Sequence, residues 1–228
     1  TDAAYKVGSF DLRKVEVVEH DDTVEFRVSV GTRIEDPWNS KDWDGNGFSL
    51  QFVQIYIDTD HQKGVGFVTP LPGLGKVAFS PDEAWDKVVL ISPQGRTRIE
   101  AEVRYKAAQM RGAVVIPKRT SVRGKQLVAV VKKSDLGTPN AKWGFQAVMQ
   151  SNEGYPDKAD VLTRRVNEVR GEHRFGGGHD TDCDPHVLDI LAGKAKGGAD
   201  EVAAQKATLA WTCGSKIATI PMIYPSAR

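Results

Sequence analysis

This sequence has almost no excess charge of either sign, and it has no long apolar run. Its 228 residues carry 31 lysines and arginines against 30 aspartates and glutamates, a formal net charge of +1. A chain without a net field gives no reason to expect nucleic acid or an anionic membrane as a partner. No stretch approaches the roughly eighteen apolar residues that a membrane-spanning helix needs, so we expect no membrane span.

Short catalytic motifs are also absent from the sequence. It contains no phosphate-binding P-loop, no Gly-x-Ser-x-Gly nucleophile turn and no His-Glu-x-x-His zinc motif. The glycine run at 176–178 precedes acidic residues, which would repel a phosphate group rather than bind it. We therefore predict that the protein is not an enzyme.

Cysteine is scarce, with only Cys183 and Cys213 present. In an exported protein the usual outcome is one disulfide, here closing a loop of about 30 residues. The alternative is a metal site that combines Cys183 with His179 and His186. A beginning at Thr1 suits a processed, exported protein, so we expect a secreted, periplasmic or cell-surface location.

Alternation of apolar and polar residues is the dominant pattern in the chain, and it predicts strands. Residues 15–19 and 23–30 alternate on either side of a turn at 20–22, which predicts a hairpin. The run at 48–57 is too apolar for a sheet edge and is expected to be a central strand. Further strands are predicted at 87–91, 96–105, 111–116, 126–132 and 143–150.

Helical pattern is scarce in this sequence. Short helices are predicted at 81–86 and 134–137, and a longer one at 200–208. Closely spaced strands with loops rich in glycine and proline indicate an all-β fold, an antiparallel two-sheet β-sandwich with a few short helices. No linker of biased composition divides the chain, so we predict a single domain over residues 1–228.

Three acidic segments have the composition of a calcium site, which needs roughly six to eight oxygen ligands on turning backbone. Each segment also suits an Asx turn or a hydrogen-bonded loop cap, so both interpretations stay open. The candidate ligands are Asp42, Asp44 and Asn46 in the first segment, Asp58 and Asp60 in the second, and Asp180, Asp182 and Asp184 in the third.

Carbohydrate binding requires an aromatic face on which a sugar ring stacks, together with side chains that bond to hydroxyl groups. Trp38 and Trp43 lie in a polar loop rich in Gly and Asp, where a large aromatic side chain either packs locally or binds a ligand. Trp85 and Trp143 have apolar neighbours and are expected in the core. Trp38 and Trp43 are therefore the candidate sugar platforms.

A series of short motifs follows in order along nearly the whole chain. They lie at 8–12, 36–39, 47–51, 54–60, 71–73, 84–85, 143–146, 164–168, 175–189 and 220–224. In this order they resemble the C-terminal domain family of glucodextranases and amylopullulanases. That family is grouped with DOMON-like and family-9 carbohydrate-binding-module-like β-sandwiches.

This resemblance implies a β-sandwich associated with extracellular carbohydrate-active proteins, with calcium as its usual structural ion. The function it implies is that of a non-catalytic, exported module that binds a polysaccharide or a cell-envelope glycan. An alternative is a structural or accessory subunit of the cell envelope or surface layer, which would have a protein partner.

The resemblance implies a second alternative, because DOMON-like sandwiches include b-type cytochromes that carry electrons through haem b. Related haem proteins hold the iron through Met with Lys or His. The corresponding candidates here are Met110, Met149, His173 and Lys158. Methionine is also a common core residue, so a packing role for the two methionines stays open. No Cys-x-x-Cys-His motif occurs, which excludes covalent c-type haem attachment through that motif.

Overall fold

Two sheets and one short parallel strand pair make up most of the fold. The computed structural model describes residues 4–152, 160–166, 183–193 and 198–225. Its strands are β1 (Leu12–Glu19), β2 (Thr23–Val30), β3 (Gln51–Asp58), β4 (Val77–Phe79), β5 (Lys87–Ile91), β6 (Val114–Val115), β7 (Arg119–Arg123), β8 (Gln126–Lys132), β9 (Gly144–Asn152), β10 (Thr163–Arg164), β11 (Asp189–Ile190) and β12 (Ala218–Ile220). Its helices are α1 (Arg96–Lys106), α2 (Lys133–Leu136) and α3 (Gly198–Thr208), with 3₁₀ turns at Ser40–Trp43 and Ala108–Met110.

The two sheets differ in size and in strand direction. The first sheet has the order β1-β2-β8-β7 and is antiparallel throughout. The second has the order β10-β9-β3-β5-β6, with β11 also paired to β9, and is antiparallel except for β5 and β6. β4 and β12 form a separate parallel pair. The predicted two-sheet β-sandwich with a few short helices is confirmed, with two short parallel pairings added to it.

One hydrophobic core lies between the sheets, and a second lies on the far face of the second sheet. In β3, Val53 and Ile55 belong to the first core, whereas Phe52 and Tyr56 belong to the second. This division follows from side chains that alternate across a strand. Every residue of β3 and β9 is buried, so the centre of the second sheet offers neither face to a ligand.

Buried amide side chains hold the covering loops against the far face of the second sheet. Gln150 Nε2 donates hydrogen bonds to the carbonyl oxygens of Gly73 and His186, both at 2.9 Å. Gln54 Nε2 donates to Gln150 Oε1 at 2.7 Å, and the Tyr56 hydroxyl donates to Gln54 Oε1. Buried polar groups are costly unless they are paired, so this network fixes the position of the loops on the sheet.

Most of the predicted strands are present, with small shifts at their ends. The predicted strands at 87–91 and 126–132 are found as β5 and β8, and the hairpin turn at 20–22 joins β1 to β2. The predicted helices at 134–137 and 200–208 are found as α2 and α3. The predicted strand at 111–116 is reduced to the two residues of β6.

The prediction of a strand at 96–105 is wrong, because this segment forms α1. Its buried side chains are Ile99 and Val103, four residues apart on one face of the helix. Arg96 and Glu100 form an ion pair with the same spacing of four, which stabilises a helix. Apolar side chains at every second position obscured this spacing in the sequence.

The prediction of a short helix at 81–86 is also wrong, because this segment forms a turn and an isolated bridge between Trp85 and Phe67. The Trp85 ring is buried, with ring centroids 5.2 Å from Tyr56 and 4.8 Å from Phe67. Its indole N–H donates to the Thr69 carbonyl at 3.1 Å. Burial of this large side chain outweighs the local preference for a helical turn.

Candidate functional site

A group of three carboxylates lies at one end of the second sheet. Asp58 ends β3, Asp60 follows it, and Asp86 precedes β5, the antiparallel neighbour of β3. One carboxylate oxygen of each residue lies within 4.8 Å of the other two. Within the described ranges, this is the one set of three His, Cys, Asp or Glu side chains close enough to hold a metal ion together. We refer to these three aspartates as the acidic cluster.

Backbone and hydroxyl donors orient the most buried member of the acidic cluster. Asp58 is only 2% exposed. Its Oδ1 accepts hydrogen bonds from the His61 N–H at 2.7 Å and the Asp60 N–H at 3.2 Å. Its Oδ2 accepts one from the Tyr224 hydroxyl at 2.6 Å. These donors fix the orientation of the carboxylate.

Asp60 and Asp86 each use one carboxylate oxygen in the loop. Asp86 Oδ2 accepts from the N–H of Thr59 at 2.7 Å and from its hydroxyl at 2.8 Å. Asp60 Oδ1 accepts from the Gln62 N–H at 2.9 Å. Among the described residues, none donates a hydrogen bond to Asp60 Oδ2 or Asp86 Oδ1. These two oxygens remain available as ligands for a hard cation, which prefers carboxylate oxygen.

Tyr224 responds to the negative charge around the acidic cluster. Burial raises the pKa of its hydroxyl, and the hydrogen bond to Asp58 and the charges of Asp58, Glu83 and Asp60 raise this pKa further. The hydroxyl therefore stays protonated and donates to Asp58. The His61 ring stacks on the Tyr224 ring, with centroids 4.1 Å apart and planes 14° apart. Carboxylates held this close repel one another, so a cation bound among them would stabilise the fold.

The structure brings together Asp58 and Asp60 as the sequence predicted, and it adds Asp86 and Tyr224. Asp86 belongs to the cluster because Ile57 of β3 pairs with Lys87 of β5, which places the preceding residue beside the end of β3. The acidic residue just before an apolar strand was the available signal for Asp86. Nothing local in the sequence indicates the contact of Tyr224, because it depends on how the C-terminal segment packs.

The first predicted metal segment does not assemble into a cluster of carboxylates. Asp42 and Asp44 are exposed. Asn46 turns its amide group inward, where Nδ2 donates to the carbonyls of Ser92 at 2.9 Å and Gln94 at 3.0 Å. Asn46 therefore closes its loop against the segment after β5, as expected for a loop cap. The assignment of Asp42 and Asp44 as metal ligands stays a prediction.

The third predicted metal segment is described only at its end. Asp180 and Asp182 lie outside the described residues. Asp184 is buried, and its Oδ2 lies 4.0 Å from His186 Nδ1. The metal role of this segment therefore stays a prediction.

A disulfide joins Cys183 to Cys213, with their Cα atoms 5.4 Å apart. This confirms the predicted pairing. Because its sulfur is bonded, Cys183 is not a thiolate ligand beside His186, and His179 lies outside the described residues. The bond connects the segment before β11 to the segment after α3.

The two candidate sugar platforms lie next to each other and are half-buried. Trp38 packs on the first core and meets the Tyr5 ring edge-on, with centroids 6.1 Å apart. The indole N–H of Trp43 donates to the Trp38 carbonyl at 3.2 Å. Trp38 therefore shows the local packing that was one of its two interpretations from the sequence. Sugar binding by Trp38 or Trp43 stays a prediction.

The structure does not bring the two methionine candidates for haem ligation together. Met149 is buried in the first core, whereas Met110 packs against the second. The second sheet lies between these two cores. His173 and Lys158 lie outside the described residues. Haem binding stays a prediction.

The fold, the acidic cluster and the disulfide together define a disulfide-bonded β-sandwich with a candidate cation site. Among the described residues, no helix is long and apolar enough to cross a membrane. Within this class, the chain belongs to the family of the C-terminal, SLH-like binding module of glucodextranase, whose model matches residues 1–223. No curated protein matches the chain. The family resemblance is therefore confirmed, and the family and the disulfide are compatible with an extracellular protein.

Proposed function

We propose that this protein is a non-catalytic, exported module that binds carbohydrate. The observation that carries the proposal is the match of residues 1–223 to a family described as a binding module. The family takes its name from glucodextranase, so α-glucans are the first class of ligand to test. The disulfide supports export, because such bonds persist mainly in oxidising compartments.

A structural calcium ion in the acidic cluster is part of this proposal. Asp58, Asp60 and Asp86 would supply carboxylate oxygens, and water or backbone carbonyls would complete the coordination. A set of donors made of oxygen alone favours calcium over zinc or copper, which prefer nitrogen and sulfur. The ion would offset the mutual repulsion of the three carboxylates and so hold the end of β3 against the start of β5.

Native affinity electrophoresis tests carbohydrate binding directly. The protein is run through gels that contain dextran, pullulan or starch, once with calcium and once with EDTA, beside serum albumin as a non-binding control. Retardation that grows with the concentration of one polysaccharide is the expected result, and it names the ligand. Unchanged mobility in every gel would contradict carbohydrate binding by this protein.

Attachment to the cell envelope is a second candidate function, because the family's binding module is SLH-like, and surface-layer homology modules attach proteins to the envelope. The ligand would then be an envelope glycan or a protein of the envelope. Co-sedimentation with isolated cell walls separates these cases. Loss of binding after chemical removal of wall glycans identifies a glycan, and loss after protease treatment of the walls identifies a protein.

A further inference from the structure

A groove of about 390 Å³ lies between the C-terminal end of α1 and the loop that precedes β4. Thr69, Pro72 and Gly73 line it from the loop, and Tyr105 and Gln109 line it from the helical side. The volume falls within the range of roughly 300–1,000 Å³ that is usual for ligand pockets. We refer to this feature as the Tyr105 groove.

Tyr105 is the most unusual side chain of this groove, because it is 83% exposed. Every other Phe, Trp or Tyr in the described part of the chain is buried or half-buried. Tyr105 lies next to the last residue of α1, opposite the apolar face formed by Ile99 and Val103. A single exposed aromatic ring is common at protein surfaces, and its uncovered faces are accessible to a ligand. Tyr105 is therefore available as a stacking surface for a ligand.

Hydrogen bonds to buried residues beneath it, in β3 and β9, hold the loop side of the groove in place. Leu71 N–H donates to the hydroxyl of Tyr56 at 3.0 Å, and the carbonyl of Gly73 accepts from Gln150 at 2.9 Å. The carbonyl of Pro72 accepts from the Val161 N–H at 3.1 Å. These bonds from buried groups fix the loop in one conformation. A fixed loop loses little entropy when a ligand binds, which favours affinity.

The lining of the groove carries little net charge. Lys106 is the one charged residue among the described residues that line it, and its ammonium group pairs with Glu102 at 2.8 Å. The remaining lining consists of Pro, Gly, Leu, Val, Ala and Met with the polar side chains of Thr69, Tyr105 and Gln109. Such a surface suits a neutral ligand that has apolar faces and hydroxyl groups, rather than an anionic one.

We propose that the Tyr105 groove binds a neutral sugar unit of a polysaccharide, with the sugar ring stacked on Tyr105. Thr69 and Gln109, both exposed, bond to its hydroxyl groups. This assignment rests on the proposed carbohydrate binding and names the site that carries it. It differs from the sequence prediction, which named Trp38 and Trp43 as the sugar platforms. Tyr105 lies at the end of a helix in a segment that the sequence pattern predicted as a strand.

Affinity electrophoresis of matched variants tests the assignment, with dextran, pullulan and starch as probes. Tyr105→Ala is expected to weaken binding about tenfold or more, as truncation of a central aromatic contact does. Tyr105→Phe keeps the ring and is expected to retain most of the affinity. Trp43→Ala tests the competing platform predicted from the sequence, and the groove assignment expects it to lose less binding than Tyr105→Ala. Thermal melting checks that each variant is folded.

The outcomes separate the site from the function. If Tyr105→Ala binds as the wild type does and Trp43→Ala does not bind, the groove assignment is wrong, but the proposed carbohydrate binding still holds. Equal binding by all variants would overturn it as well. A wild-type protein that none of the polysaccharides retards would contradict the proposed function itself, and the groove assignment with it.

A second variant, Ala108→Glu, places charge in the groove and is expected to weaken binding without removing the tyrosine.

Discussion

At the scale of single residues, the protein places carboxylates where they are costly unless a partner is bound. Asp58 is almost fully buried and its negative charge adds to that of Asp60 and Asp86. The donors around Asp58 offset part of this cost, but they leave one oxygen each on Asp60 and Asp86 without a hydrogen bond from the described residues. From this arrangement we expect that a bound cation would stabilise the folded chain.

We expect calcium to raise the melting temperature and Asp60→Asn to remove most of that effect. At a free calcium concentration one hundred times the dissociation constant, binding to the folded state stabilises by about 2.7 kcal/mol. For a chain of this size that corresponds to about 5–10 °C. Asparagine keeps the acceptor for the Gln62 N–H while it removes the charge. Differential scanning calorimetry with calcium and with EDTA measures the change.

Asp21→Asn is the matched control for this calcium effect, because Asp21 is exposed and outside the acidic cluster. The control variant is expected to keep the full response to calcium. A wild-type melt that is the same in EDTA and in calcium would rule out a stabilising ion in the acidic cluster.

Asp189 is a second buried carboxylate, and it makes stability depend on pH. Burial raises its pKa to about 7, against hydrogen bonds from the N–H groups of Leu12 and Ile190 that lower it, while Asp11 and Glu201 raise it further. Since its ordinary pKa is 3.8, the folded chain binds more protons than the unfolded chain between about pH 4 and pH 7. Stability from this group is therefore full below about pH 4 and is lost as the pH rises through about 7.

The expected loss is roughly 4 kcal/mol between pH 4 and pH 7.5, measured by urea unfolding at a series of pH values. Asp189→Asn removes the titrating group and is expected to flatten this part of the profile, although it weakens the bond to Leu12. The difference between the two profiles isolates Asp189 from the other acids. Parallel profiles for wild type and variant would show that Asp189 titrates as an ordinary carboxyl group.

The residues of the candidate site were partly predictable from the sequence. Asp58 and Asp60 could be found because both follow an apolar strand in one short segment. Asp86 and Tyr224 could not, because their positions beside Asp58 depend on strand register and on packing of the C-terminal segment. Tyr105 was missed for a different reason: the pattern of its segment predicted a strand, which hid its position at a helix end.

At the scale of elements, the central strands act as a buried platform for the loops that surround them. β3 and β9 are buried along their full length, and Gln54, Gln146 and Gln150 lie on the face of the second core rather than in solvent. The sequence pattern predicted β3 from the apolar run at 48–57, and it predicted β5, β8 and β9 as strands at 87–91, 126–132 and 143–150. It did not predict the short pairings β10, β11 and β12, which consist of two or three residues and carry no period of their own.

Gln150→Leu tests whether the buried amides hold the loops. The change removes the donor to the carbonyls of Gly73 and His186 and the acceptor of the Gln54 amide, while it keeps a side chain of similar size. Each buried polar group left without a partner costs about 1–3 kcal/mol. The change breaks three hydrogen bonds, some of which water or nearby groups can replace, so we expect the free energy of unfolding to fall by roughly 2–4 kcal/mol. Urea unfolding measures this loss.

Gln62→Leu is the control for the buried glutamine, because Gln62 is exposed. It is expected to change stability by less than about 0.5 kcal/mol. Since Gly73 lines the Tyr105 groove, Gln150→Leu is also expected to weaken polysaccharide binding. A Gln150→Leu variant as stable as the wild type would mean that water or movement of the loop replaces the lost bonds.

At the scale of the whole molecule, the disulfide joins parts of the chain that come late in the sequence. Cys183 and Cys213 are separated by 30 residues, and the segment between them contains β11 and α3. Closure of a loop of this length removes unfolded conformations and stabilises by about 3 kcal/mol. Sequence composition predicted the pairing because the chain has no other cysteine.

We expect the double variant Cys183→Ser, Cys213→Ser to unfold at lower urea concentration, by about 3 kcal/mol of stability. Reduction of the wild type should give the same loss, which controls for the effect of serine itself. Binding at the Tyr105 groove should survive, because neither cysteine lines it. Equal stability of the oxidised and reduced wild type would show that the bond adds nothing to the fold.

The hydrogen bond from Tyr224 to Asp58 spans 166 positions of the sequence. During synthesis, Asp58, Asp60 and Asp86 leave the ribosome long before Tyr224, so Asp58 gains its hydroxyl donor only after residues near the C-terminal end of the described chain have docked. A molecule clipped before residue 218 would lack both β12 and this tyrosine. Such a molecule would keep all three aspartates but lose the hydroxyl donor, so that Asp58 would rely on the backbone N–H donors of Asp60 and His61.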